Sequence, residues 1–260
     1  MDNRISDSST RAIQSDALSQ LGDSDSFTRT LADLALLRSP SPGVPDQMGC
    51  CVSTPRASDP DNPGASSAAR PSTSLFDYRT AGLAGANVNG ICVGLAGEWL
   101  SNLHNSPTSR MNALVPGSQG HRAAAERQEQ YEDLRAGLRR DGVERSQANM
   151  QAKNTVLTEM GLQPSGREKV YSFDEPENRA RMLDKITRDG STHLLSLRFA
   201  EGGRHTIATS ASEGRTTLFD PNYGEFTVRS DQVNGLFEGL DNRYRNPNGM
   251  IISTITTQKM

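Results

Sequence analysis

HLLSLRFAEGGRHTIATSASEGRTTLFDPNYGEFTV (193–228) is the stretch that decides the fold. Within it HLLSLRF (193–199), HTIATSA (205–211), TTLF (216–219) and EFTV (225–228) follow a period of two, the signature of half-buried strands. EGGR (201–204) and SEGR (212–215) supply the glycine that tight connections need, so neighbouring strands fold back on each other. A helix at about 230–244 and a last strand, MIISTITT (250–257), complete this half of the chain.

Upstream the period changes. CVGLAGEWLSNLH (92–104) places Leu95, Trp99 and Leu103 at i, i+4 and i+8, one apolar face of a helix. Residues 105–120, rich in Ser, Pro and Gly, read as a loop. Residues 121–141 read as a charged surface helix with Tyr131, Leu134 and Leu138 inward, and 147–160 as another helix stopped by Gly161. Asp174 and Pro176 predict a helix over 175–189, ended by Gly190. Helices first and an antiparallel sheet after them give an α+β layout.

The N-terminal third is different. Residues 1–80 hold 15 serines and 7 of the 13 prolines with few aromatics, too little apolar area to offset ordering entropy. Disorder is expected there, which leaves about 180 residues for one core. A net charge of −3 gives no basic footprint for nucleic acid. No apolar run approaches the ~18 residues of a membrane-crossing helix. LADLALLRS (31–39) contains Asp33 and lacks the basic-then-apolar order of a secretory signal, so any export takes another route. The cysteines are Cys50, Cys51 and Cys92, two of them vicinal, which argues against a disulfide framework. There is no CxxC or HExxH, and the histidines are scattered at 104, 121, 193 and 205, so neither metal nor cofactor is expected.

Cys92 is the only cysteine in the patterned region, and it lies where NVNGI (87–91) turns into a helix. There unpaired N–H groups and the macrodipole stabilise a thiolate, the nucleophilic form. Gly90 and Gly94 would leave room for a substrate backbone. Taken alone, a free cysteine is more often a small core hydrophobe. His205 opens a strand and can take a proton from Cys92; the bland alternative is an exposed structural histidine. Asp220 ends TTLF, and Pro221 holds it extended; the bland alternative is a turn-opening Asp in DPNYG. Together they give the order Cys, His, Asp, with the nucleophile on a helix and its partners on a sheet. Trp99 flanks this cysteine, but its helical spacing assigns it to the core.

NGICVGLAGEWL (89–100), HLLSLRFAEGGRHTIATS (193–210) and LFDPNYGEF (218–226) resemble the YopT/AvrPphB family of type III-secreted bacterial cysteine proteases, its rhizobial members above all. The similarity spans roughly residues 85–257. It implies a papain-like fold with Cys92 as nucleophile, His205 as general base and acid, and Asp220 orienting the imidazole. Asn87 matches the position whose side-chain amide helps form the oxyanion hole. An amide suits that role because it stabilises an oxyanion without titrating.

The resemblance also bears on PDQMGCCVS (45–53). From Gly49 it reads as an acylation signal, Gly-x-x-x-Ser with Cys50 and Cys51 inside, yet 48 residues precede it. AvrPphB-like members cut themselves ahead of such a Gly-Cys sequence, which implies a scissile Met48–Gly49 bond. That branch cuts after a sequence resembling Gly-Asp-Lys; here Asp46-Gln47-Met48 precedes the bond, with Asp46 the acidic determinant one place further out. The expected division is therefore a disordered secretion and pro-segment over 1–48, a lipid-anchor linker over 49–84 and a papain-like domain over 85–260. The expected partners are host signalling proteins of the cytoplasmic kinase type, host N-myristoyl and palmitoyl transferases, and the plasma membrane through the lipids. A monomer is expected. Alternatives are a protease of prenylated Rho-type GTPases, as in the YopT branch, or a lipid-anchored module that binds without catalysis. Translation from Met48 would also expose Gly49.

Overall fold

The computed structural model describes residues 74–260. The segment 1–73, with Met48, Gly49, Cys50 and Cys51, lies outside the described residues.

The strands lie close to where the sequence pattern places them, and the central ones are buried on both faces rather than half-buried. Strands β3 (Thr192–Phe199), β4 (Arg204–Ser212), β5 (Arg215–Asp220) and β6 (Gly224–Arg229) form an antiparallel meander, and β7 (Ile252–Lys259) returns beside β3. The β4–β5 turn is tight because Glu213 and Gly214 both adopt positive φ, the geometry that matches strand twist. Two edge strands were not expected. β1 (Arg79–Gly82) pairs with β6, and β2 (Glu168–Ser172) pairs with β7, giving the order β1-β6-β5-β4-β3-β7-β2. Each is only four or five residues long, too short for alternation to stand out.

The strand β1 corrects the domain boundary. A short 3-10 turn, Leu75–Tyr78, is capped by Ser74, and Leu75 is buried in the core. Residues 74–84, read above as the end of a linker, therefore belong to the folded unit.

The helices are α1 (Cys92–Ser101), α2 (Pro107–Leu114), α3 (Gln119–Arg140), α4 (Arg145–Glu159), α5 (Pro176–Ile186) and α6 (Val233–Arg245). The helix α2 replaces an expected loop. Its Ser and Pro are start signals, since the Ser106 hydroxyl accepts from the Ser109 N–H and Pro107 occupies the first turn. Met111 and Leu114 then bury its inner face.

Alternation along the strands makes two cores. Leu195, Leu197, Ile207 and Leu218 face α5 and α6, where Met182, Leu236, Phe237 and Leu240 meet them. Leu194, Ala208 and Phe219 point the other way, onto Leu95 and Trp99 of α1. Trp99 is fully buried and stacks on Phe219 at 5.4 Å between centroids. Burying such large apolar side chains stabilises by about 1.5–3 kcal/mol each, and here it fixes the helix to the sheet. The expected face of Leu95 and Trp99 is thus real, while Leu103 lies just beyond the helix and is partly buried. α1 also approaches α3 very closely. A Cβ on Gly94 would lie 1.9 Å from the Ala124 carbonyl oxygen, so Gly94 makes room for a helix, not for substrate.

Candidate active site

Cys92 is the first residue of α1. Ile91 has no side chain able to cap, and the cap comes from α3: the Gln128 Oε1 accepts from the N–H of Val93 (3.0 Å) and Gly94 (3.4 Å). The N–H of Cys92 is left out of that cap. Gly90, two residues before the cysteine, takes a positive φ of 69° and turns the chain into the helix.

His205 sits at the start of β4. Pairing of β4 with β5 begins only at Ala208 and Phe219, so the backbone at Thr206 is not engaged by β5. His205 and the N–H and hydroxyl of Thr206 stand close enough to the Cys92 thiol to lower its pKa. The other side of the imidazole donates from Nε2 to Asp220 Oδ1 at 3.0 Å, which leaves Nδ1 as the nitrogen for Cys92. His205 and Asp220 are only 2% and 0% exposed, so the pair works in a low-dielectric setting.

Both oxygens of the Asp220 carboxylate are engaged. Its Oδ1 accepts from the Asn222 N–H (2.8 Å), and its Oδ2 from the Tyr244 hydroxyl (2.7 Å). The backbone bond from Asn222 closes the turn that DPNYG signals, so the bland reading of Asp220 and the chemical one hold at once. Tyr244 is fully buried on α6, its ring 5.8 Å from that of His205. Its hydroxyl accepts from Asn222 Nδ2 at 3.1 Å. Asn87 joins the same network from the other side, donating from Nδ2 to Asn222 Oδ1 at 2.8 Å. One amide hydrogen of Asn87 is thereby committed to the network.

Electrostatics follow from these contacts. Burial alone would raise the Cys92 thiol, but the hydrogen bond and charge of His205, helped by Thr206, outweigh it and hold the thiol below its ordinary range. Burial alone would likewise lower His205; Asp220, by charge and hydrogen bond, and Cys92 overcome this and raise it to about 10. Both shifts favour the thiolate–imidazolium form of the pair. Cys92 opens onto a cavity of about 330 Å³ between α3, α4 and the sheet.

Sequence reasoning missed Gln128, Asn222 and Tyr244. Asn222 had a faint signal as the second residue after an Asp-Pro turn. Gln128 and Tyr244 reach the site from remote helices, and nothing local to either residue announces it. His193, by contrast, is remote from this network, buried in β3 and pushed down to about 4 by burial and by Lys259 and Lys185.

A cysteine on a helix start, facing a histidine and an aspartate on an antiparallel sheet, is the arrangement of the papain-like class. Comparison with known proteins narrows the class. Residues 70–260 match peptidase family C58, described as Yersinia/Haemophilus virulence surface antigen, and the chain belongs to that family of cysteine proteases. It is 57% identical over its whole length to a candidate YopT-like cysteine protease of Bradyrhizobium diazoefficiens, itself covered completely. It is 60% identical to a second such candidate, from Sinorhizobium fredii, over 91% of both chains. The cysteine protease avirulence protein AvrPphB of Pseudomonas savastanoi pv. phaseolicola is 33% identical over 67% of this chain and 66% of its own. The crystal structure of AvrPphB superposes with a TM-score of 0.65 at 27% identity, covering 72% of this chain and 100% of that one.

Proposed function

We propose that the protein is an autoprocessing cysteine endopeptidase in which Cys92, His205 and Asp220 act as nucleophile, acid–base and orienting group. The observation that carries this reading is the buried hydrogen bond of His205 to an Asp220 carboxylate engaged at both oxygens, with the imidazole close enough to Cys92 to lower its thiol pKa. The Cys92 thiolate attacks the carbonyl carbon of Met48, and the carbonyl π pair moves onto oxygen. The Cys92 N–H and the remaining amide hydrogen of Asn87 receive that oxyanion. As it collapses, the C–N bond breaks and the His205 imidazolium protonates the departing nitrogen of Gly49. Water, deprotonated by the now neutral His205, then attacks the thioester; the Cys92 thiolate leaves, and the thiolate–imidazolium pair is restored.

Cleavage at Met48–Gly49 frees Gly49 for N-myristoylation and sets Cys50 and Cys51 beside it for palmitoylation. One myristoyl chain binds membranes only marginally, with a constant of about 10⁴ M⁻¹, so a second acyl chain is what gives stable anchoring. No helix among the described residues is long and apolar enough to cross a membrane. By similarity to AvrPphB, the processed monomer is a type III effector. It acts at the host plasma membrane on signalling proteins of the receptor-like cytoplasmic kinase type.

The test is the intact mass and N-terminal sequence of tagged full-length chain, wild type beside Cys92→Ala. Wild type is expected to begin at Gly49 and the variant to stay whole. If both remain whole, self-processing is wrong; if both begin at Gly49, Cys92 is not the group that cuts.

A further inference from the structure

The cavity at Cys92 has an unbalanced charge. Six basic side chains line it against two acidic ones, Glu132 and Glu168. Both acids are engaged: Glu168 pairs with Lys153, and Glu132 accepts from the Gln128 amide. The arginines stand on facing walls. Tyr131, Arg135 and Arg139 follow Gln128 at steps of three and four, one face of α3 that leads outward from the nucleophile. Opposite them, Arg198 and Arg204 are cross-strand partners on β3 and β4. Among the described residues Arg139, Arg198 and Arg204 form no salt bridge.

Like charges placed directly across a strand pair oppose folding. Desolvation in the cleft, and then Arg145 with Arg198 and Arg135 behind it, push the Arg204 guanidinium below its usual range, with Tyr131 opposing. The two acids in the cleft are held by Lys153 and Gln128, and neither forms a salt bridge with Arg198 or Arg204. An anionic ligand would resolve the conflict.

The chain itself carries a fitting ligand. Between Arg38 and Arg56 the only charged residue is Asp46, two residues before Met48. An extended peptide advances about 3.3–3.6 Å per residue, so the Asp46 backbone lies about 7 Å from that of Met48. Arg204 and Thr206 share the face of β4 opposite to that of His205, and both line the same cavity as Cys92. A substrate carbonyl at Cys92 therefore places a carboxylate two residues upstream within reach of a guanidinium in this cleft.

We infer that the arginine-lined cleft is an acidic-peptide subsite, in which Arg198 and Arg204 read a carboxylate two residues before the scissile residue, as Asp46 stands before Met48. This rests on the proposed cleavage by Cys92, whose substrates it narrows to peptides with an acid at that place. Two charge-assisted hydrogen bonds in a partly desolvated cleft set the expected discrimination at roughly tenfold or more in kcat/KM.

The experiment uses full-length Cys92→Ala chain as the substrate, with Asp46 kept or carrying in addition Asp46→Asn or Asp46→Lys. Each is offered to active wild type and to Arg198→Glu/Arg204→Glu. Wild type should cut the Asp46 chain at least about tenfold faster than either variant. The doubly reversed enzyme should show the opposite order, cutting the Asp46→Lys chain faster than the chain that keeps Asp46. That inverted preference is a gain a misfolded enzyme cannot show. Added salt should slow wild type on the Asp46 chain and not on the Asp46→Asn chain. Equal rates on all three substrates, with cleavage at Gly49 intact, overturn the subsite while leaving the protease reading standing. Failure of wild type to cut any of them overturns both.

Discussion

Two buried carboxylates stand on neighbouring strands and have nearly the same ingredients around them. Glu225 on β6 is fully buried and receives Arg110 through Nε (3.0 Å) and a terminal nitrogen (2.8 Å), with the Trp99 indole N–H at 2.8 Å. Asp220 on β5 is equally buried and receives a histidine, a tyrosine and a backbone N–H. The difference lies in the cation. Arg110 is permanently charged, and it ties α2 and α1 to the sheet edge. His205 can release its proton, and its free face meets a sulfur that opens on a cavity. The same burial that makes the first carboxylate a structural anchor makes the second a device for holding an imidazolium.

That contrast can be broken from either end. The largest effect is expected from Asp220→Asn, which keeps the shape and removes the charge. Cleavage should fall on the order of 10²–10⁴-fold, with the folded state retained by circular dichroism. The pH profile carries the sign. Activity needs the imidazolium, and Asp220 lifts His205 to about 10, so wild-type kcat/KM should hold on the alkaline side until pH approaches that value. In Asp220→Asn the alkaline limb should move to lower pH; an unmoved limb would mean that Asp220 does not set the charge of His205.

Glu225→Gln should invert the pattern. Removing one partner of a buried ion pair leaves Arg110 uncompensated, at about 3–5 kcal/mol of stability. The Tm should drop by roughly 10 °C, while kcat/KM measured well below the transition stays near wild type. If activity falls in parallel with stability at that temperature, the two carboxylates are not functionally separate.

The smallest effect is expected from Tyr244→Phe, which deletes only the hydroxyl on Asp220. It should cost about 1–2 kcal/mol of stability and shift the alkaline limb without abolishing cleavage. A stability loss with an unchanged pH profile would make Tyr244 a packing residue alone.

The legible parts of this molecule were those in which local pattern and tertiary role coincide. The meander β3 to β6 was legible from its strand-forming runs between glycine turns, although helices cover both faces and bury the strands almost continuously. The role of Cys92 came from the family resemblance, while its place at a helix start was legible from the turn NVNGI into an apolar-faced helix. The short edge strands β1 and β2 were not, since pairing on one side imposes no long alternation. α2 was hidden because Ser106 and Pro107 serve equally as loop residues and as the opening of a helix. Glu225 and Tyr244 were hidden for a deeper reason. Their partners lie 115 residues away at Arg110 and 24 residues away at Asp220, and nothing local marks a polar side chain that only tertiary packing buries.

Gln128 carries one more consequence. Helix starts commonly recruit a carboxylate or hydroxyl from their own chain, and a carboxylate here would set a full negative charge against the sulfur. Here a neutral amide does the capping, and its Nε2 donates to Glu132 of α3, so that acid bonds the amide's nitrogen while its oxygen serves the helix start. Because the amide is rooted on α3, the aim of the sulfur is indexed to the angle between two helices, as a tool is held by a jig. The helix that bears Arg139 on the cleft wall is the same one that trues the nucleophile.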